Sequence, residues 1–88
     1  MIKILKHMFE ERDDFMGYVW MIHECSDPAI KAELIKIAEE ESKHYKHLYD
    51  IVFSKVDPKN MTHLEHGVHE YATDLYQEMH EILEDLKK

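Results

Sequence analysis

The sequence has few of the residues that interrupt a chain or cross-link it. Its 88 residues include two glycines, two prolines and one cysteine, Cys25. A single cysteine excludes a disulfide within the chain and favours a reducing compartment. Scarce glycine and proline leave long segments unbroken, and these segments show helical periodicity without the alternation typical of strands. We therefore predict an all-α chain.

Long apolar runs and excess positive charge are also missing. No run is long enough to span a bilayer, and no signal-peptide pattern is present. The formal net charge is −8, and such a charge repels the phosphates of nucleic acids and anionic membranes. We expect a cytoplasmic protein that binds neither nucleic acid nor membrane and whose acidic surface attracts cations.

The two prolines divide the chain into three predicted helices within a single domain, residues 1–88. The helices should cover about residues 2–25, 28–55 and 61–87. The turn between the first two is short, so these helices should pack as an antiparallel hairpin. A chain of this size has a thin core, and we expect dimerisation to complete a four-helix-bundle-like core.

The breaks "CSDPA" and "KVDPKN" carry helix-capping signals. Ser26 or Asp27 can cap the second helix. Thr62 can form a capping box with Glu65 at the start of the third helix, and Asn60 is a competing cap.

Polar side chains interrupt two of the three predicted apolar stripes. At 100° per residue, the stripes consist of Ile4, Met8, Phe15 and Ile22; of Ile30, Leu34, Ile37, Leu48 and Val52; and of Leu64, Val68, Tyr71, Leu75, Met79, Ile82 and Leu86. Glu11 and Tyr18 interrupt the first stripe, and Glu41 and His44 interrupt the second. The third stripe has no central polar residue.

The interrupting residues should meet at one level of the hairpin. Glu11 and Glu41 are equally far along the chain from Ser26, so an equal rise per residue brings them to the same height. His44 follows one turn after Glu41, on the same helix face. Glu39 and Glu40 are expected to face solvent instead.

Two carboxylates and an imidazole suit iron, manganese or zinc. A bundle di-iron centre uses a Glu from each of two helices and a Glu-x-x-His from each of two others. The chain offers Glu11 and the pair Glu41 and His44, which is half of that set. A two-fold dimer would supply the other half and place the metals between subunits.

Another interpretation of the cluster stays open. Glu41 and His44 could form a polar pair that fixes helix register in a metal-free or zinc- or manganese-binding homodimer with a structural or interaction role. The histidines of the third helix are expected to be solvated; they are His63, His66, His69 and His80.

The stretch "ECSDPAIKAELIKIAEEESKHYKHL", within residues 8–52, resembles the ferritin-like di-iron carboxylate superfamily and is most similar to encapsulated ferritins. The resemblance implies that Glu11, Glu41 and His44 are the metal-binding and catalytic residues of a ferroxidase. Fe(II) would be oxidised by dioxygen at a di-iron centre shared between two subunits, for iron storage or detoxification.

The same resemblance assigns roles around the centre. Tyr18 matches an aromatic residue near the iron, and Glu10 and Asp13 match acidic positions on the path that iron takes. Tyr45, like Tyr18, is a candidate donor behind the ligands. The implied assembly is a homo-oligomer inside a nanocompartment formed by an encapsulin-type shell protein. A rubrerythrin-like, peroxide-reducing di-iron protein is the alternative within the superfamily.

Overall fold

A computed structural model describes residues 2–88, and over these residues the chain is all-helical, as predicted. It contains α1 (Ile2–Glu24), α2 (Pro28–Phe53), a short 3-10 helix (Pro58–Asn60) and α3 (His63–Leu86), with no strand in this described range. None of the helices within residues 2–88 is both long enough and apolar enough to cross a membrane.

Local capping decides where α2 and α3 begin. Asp27 accepts hydrogen bonds from the backbone N–H groups of Ala29 and Ile30, with Pro28 at the first helical position. Asp27 is therefore the cap of α2, and Ser26 is not. Such a cap contributes about 1 kcal/mol.

The predicted capping box starts α3. The Thr62 hydroxyl accepts from the Glu65 backbone N–H at 3.1 Å, and the Glu65 carboxylate accepts from the Thr62 N–H at 3.3 Å. Asn60 is not the cap, because its side chain donates to Asp57 within the 3-10 turn.

The three helices share one hydrophobic core, in which α1 and α2 form the largest interface and α3 packs on both. The buried residues are Met8, Phe15, Val19 and Ile22 on α1; Ala38, Ser42, Tyr45 and Val52 on α2; and Ala72, Leu75, Met79 and Leu83 on α3. Leu64 and Tyr71, predicted to be core residues, are exposed.

Hydrogen bonds join α2 to α3 through tyrosines. The buried Tyr45 hydroxyl donates to the backbone carbonyl of Ala72 at 2.6 Å. The Tyr49 hydroxyl contacts His69 Nε2 at 2.9 Å and Thr73 Oγ1 at 2.7 Å. These bonds fix which face of α2 the third helix covers.

Val52 of the predicted α2 stripe is buried, as predicted, but the middle of the stripe is displaced by one residue from the core face. Ala38, Ser42 and Tyr45 are buried, and each directly follows a residue of the predicted face. One residue is a rotation of about 100° around a helix. We give the name open stripe to residues that are not fully buried, although Leu34 and Leu48 contact the edge of the core: Ile30, Leu34, Ile37, Glu41, His44, Leu48 and Ile51. Its isoleucines are exposed, and Leu34 and Leu48 are only half-buried.

Candidate metal centre

The three side chains that the sequence predicts as ligands come together in the structure. One ligand atom each from Glu11 on α1 and from Glu41 and His44 on α2 lies within 4.8 Å of the other two. Within residues 2–88, this is the one group of three or more His, Cys, Asp or Glu side chains close enough to hold a metal ion. The geometry therefore agrees with the expectation that these residues meet at one level.

The three candidate ligands differ in how far their side chains are exposed to solvent. The Glu11 side chain is 15% exposed and the His44 side chain is 58% exposed. Glu41 is half-buried, and its Oε2 atom is sealed from solvent with no hydrogen-bond partner in the described chain. A buried carboxylate oxygen without a donor is costly. A cation at this position would satisfy the oxygen.

The surroundings of Glu41 disfavour its negative charge. Its pKa is raised from the ordinary value to about 7, first by burial, then by the hydrogen bond with Glu11 that exists only when a proton is present, and then by the charges of Glu11 and Asp14. Two ionised carboxylates in this seam repel each other. A proton or a metal ion is needed to hold them together at neutral pH.

Glu11 lies between two histidines. Its Oε2 is 3.7 Å from His44 Nδ1, and its Oε1 is 3.5 Å from His7 Nε2. Both distances exceed those of good hydrogen bonds, but an ion about 2.1 Å from each atom fits between such donors. Sequence reasoning missed His7, although its four-residue spacing from Glu11 signals a shared helix face.

The acidic residues expected on the path to the site have different neighbours. Glu10 is exposed, with Oε2 3.8 Å from His7 Nδ1. Asp13 is exposed and pairs with Arg12 at 3.7 Å. Asp14, and not Asp13, adds to the effects of burial and of Glu11 that raise the pKa of Glu41.

The two candidate donors behind the ligands also differ. Tyr18 is half-buried and packs against the core. Tyr45 donates its hydroxyl proton to the Ala72 carbonyl on α3. Burial raises the pKa of Tyr45 well above its ordinary value, so this hydroxyl stays protonated.

Two expected solvent-facing residues make specific contacts instead. Glu39 forms an ion pair with Lys87 beyond the end of α3, and this pair lowers the pKa of Glu39. His69 is half-buried and contacts the Tyr49 hydroxyl. Glu40 is exposed, as expected, and the remaining α3 histidines are exposed, with His80 3.7 Å from Glu84.

Comparisons of the chain with protein-family models, with curated proteins and with solved structures returned no match. Two carboxylates and one imidazole with a neutral ring carry two negative charges, which is the charge that balances one divalent transition-metal ion.

Proposed function

We propose that the chain binds ferrous iron through Glu11, Glu41 and His44 and, as a two-fold dimer, oxidises it with dioxygen. The observation that carries this proposal is the convergence of three ligand atoms within 4.8 Å around a buried carboxylate oxygen that has no partner in the described residues. A polar cluster with only a structural role would be expected to satisfy that oxygen with a donor that does not depend on a proton shared by Glu41 and Glu11.

The proposal includes an antiparallel arrangement of α1 and α2. A connection of three residues between the helices and the meeting of Glu11 with Glu41 support it. In this arrangement one hairpin supplies a bridging carboxylate from α1 and a Glu-x-x-His pair from α2, which is half of a di-iron ligand set.

The open stripe of α2 supports a second copy of the chain as the source of the missing half. Its positions from Ile30 to Ile51 follow the alternating spacing of three and four residues that packs helices along a seam. Exposed isoleucines flank Glu41 and His44 on both sides. The ligands therefore lie in the middle of an apolar strip that the chain itself leaves uncovered.

This stripe is also complementary to itself. If two copies of α2 pack antiparallel about a two-fold axis near Glu41, Ile30 of one copy meets Ile51 of the other, and Leu34 meets Leu48. His44 then faces Ile37 across the axis, and the two Glu41 carboxylates approach each other. Since two such carboxylates repel, the dimer needs cations between them.

The residues of this chain have distinct tasks in the proposed reaction. Glu41 and His44 bind ferrous iron. Glu11 binds the same ion through Oε2, the oxygen that faces His44, or bridges it to a second ion. Two ferrous ions lose one electron each, and dioxygen takes up these two electrons with two protons to give hydrogen peroxide. Hard carboxylate oxygens favour the ferric product, and the half-exposed His44 edge leaves an approach for dioxygen.

Anaerobic titration with Fe(II), followed by exposure to air, tests the proposal. We expect one tightly bound iron per chain, dimers that iron stabilises, and oxygen-dependent absorbance in the near ultraviolet. Glu41→Ala should abolish all three, whereas Glu40→Ala, which changes an exposed neighbour, should leave them unchanged.

The titration also separates the alternatives. Tight binding of zinc or manganese without oxidation of iron would make this a metal-binding homodimer without ferroxidase activity. Oxidation that requires peroxide in place of dioxygen would favour a peroxide-reducing protein. Absence of stoichiometric metal binding would contradict the proposal and favour the polar pair that fixes helix register.

A further inference from the structure

The two oxygens of the Glu11 carboxylate face different histidines. Oε2 faces His44 Nδ1 at 3.7 Å, and Oε1 faces His7 Nε2 at 3.5 Å. His7 and Glu11 are four residues apart on α1, so the helix itself holds them on one face. This second contact requires neither α2 nor another copy of the chain.

The other nitrogen of His7 faces a carboxylate as well. His7 Nδ1 lies 3.8 Å from Glu10 Oε2. Metal-binding histidines commonly direct one ring N–H to a carboxylate, which fixes the tautomer and leaves the other nitrogen free to bind the ion. In the tautomer with the proton on Nδ1, Nε2 is free to bind an ion that Glu11 also contacts.

We propose that His7 Nε2 and Glu11 Oε1 form an outer position for a divalent transition-metal ion, bridged by Glu11 to the inner position at Glu41 and His44. Two donors 3.5 Å apart can both reach one ion at about 2.1 Å. An imidazole with a carboxylate suits Fe(II), Zn(II) or Co(II) better than Ca(II) or Mg(II).

The outer position differs from the inner one in exposure. His7 is 61% exposed, and water can supply the remaining ligands. An ion there binds more weakly and exchanges faster than one held by three protein donors. Glu11 belongs to both positions, so it can pass an ion from the outer position inward by changing which oxygen binds it. The proposal thus adds to the inner site of the proposed function and rests on it.

Equilibrium dialysis of the full chain against Zn(II) tests the outer position without any redox reaction. Wild type should bind two ions per chain in two affinity classes. His7→Ala should lose the weaker class and keep the tighter one. The control is His47→Ala, which removes an exposed α2 histidine and should keep both classes.

NMR with paramagnetic Co(II) gives a second measurement, whose result cannot arise from unfolding of the protein. Co(II) bound to wild type should shift and broaden the NMR signals of the His7 ring, and Glu41→Ala should preserve this effect while abolishing the tight class. His7 is exposed, so its replacement should leave the helical circular dichroism unchanged.

Each outcome is decisive. One class of sites in wild type, unchanged in His7→Ala, overturns the outer position and leaves the proposed function intact. If wild type binds none of Zn(II), Co(II) and Fe(II), the outer position and the proposed function are both overturned. Loss of both classes in His7→Ala, with folding intact, overturns the separation into two positions.

Discussion

Glu41 of α2 lies against Glu11 of α1, and the two carboxylates share a half-buried seam with one oxygen of Glu41 sealed from solvent. Burial first, and then the neighbouring Glu11 carboxylate, raise the pKa of Glu41 to about 7. At neutral pH the Glu41 carboxylate is therefore partly protonated and partly ionised. Either a proton or a metal ion relieves its repulsion with Glu11.

The metal-free protein should lose stability as pH rises toward 7. The folded-state pKa of Glu41 lies above its ordinary value, so its contribution is fully present below the unfolded-state pKa and lost as pH rises through about 7. The slope is at most about 1.4 kcal/mol per pH unit. Glu41→Gln cannot ionise, so at pH 8 this variant should be more stable than wild type by about 1–3 kcal/mol.

Denaturant unfolding from pH 5 to pH 8 with a chelator present measures this effect. Glu40→Gln is the matched control, because that carboxylate is exposed. Profiles of wild type and Glu41→Gln that run parallel across this range would show that Glu41 does not carry the raised pKa.

Metal binding at the inner position should release a proton from Glu41, since the ligand must be ionised. Asp14 contributes to the raised pKa, so Asp14→Asn should lower that pKa and shift the proton release to lower pH. Calorimetry with Zn(II) at pH 6 and pH 8, in buffers of different ionisation enthalpy, counts the protons.

Asp13→Asn is the control, because Asp13 pairs with Arg12 and should leave the proton count unchanged. An equal effect of both substitutions would mean that net charge, and not the position of Asp14, sets the pKa of Glu41.

The dimer should depend on the ends of the open stripe. Ile51 is exposed, and the proposed pairing buries each Ile51 against Ile30 of the other copy, which gives two equivalent contacts per dimer. Ile51→Lys forfeits about 1.5–3 kcal/mol of side-chain burial at each contact and should weaken iron-dependent dimerisation at least tenfold by sedimentation equilibrium. Leu64→Lys, on exposed α3 surface, should have little effect. Equal weakening by both variants would place the interface elsewhere.

Tyr45 should matter for stability and not for metal binding. Its buried hydroxyl donates to Ala72, and Tyr45→Phe leaves that carbonyl without this donor, which costs about 1–3 kcal/mol. Metal stoichiometry should stay unchanged. Tyr71→Phe, at an exposed tyrosine, should change neither property. Loss of metal binding in Tyr45→Phe would restore Tyr45 as a donor behind the ligands.

The features that could be predicted from the sequence are those set by local geometry. The Asp27 and Thr62 caps depend on residues within one turn. The meeting of Glu11 with Glu41 follows from equal distances to one turn, and His44 follows from helical spacing. Each requires only the rise and rotation of a helix.

The face of α2 that packs in the core could not be predicted from local helix geometry. The open stripe with Ile30, Ile37 and Ile51 is more apolar than the buried stripe, which includes Ala38 and Ser42. Ranking by hydrophobicity therefore selected a stripe whose isoleucines are exposed. The choice within the chain depends on tyrosine hydrogen bonds to α3, which are tertiary contacts. His7 was missed because it lies outside the apolar stripe used to find candidates.

X-ray anomalous scattering at the iron edge, from crystals grown anaerobically with Fe(II), tests the central claim most directly. The proposal predicts a peak about 2.0–2.2 Å from donor atoms of Glu11, Glu41 and His44, with a symmetry-related peak about 3.5–4 Å away from a second copy. Iron bound elsewhere, or a seam in which Glu41 carries a proton and no metal at saturating Fe(II), would contradict it.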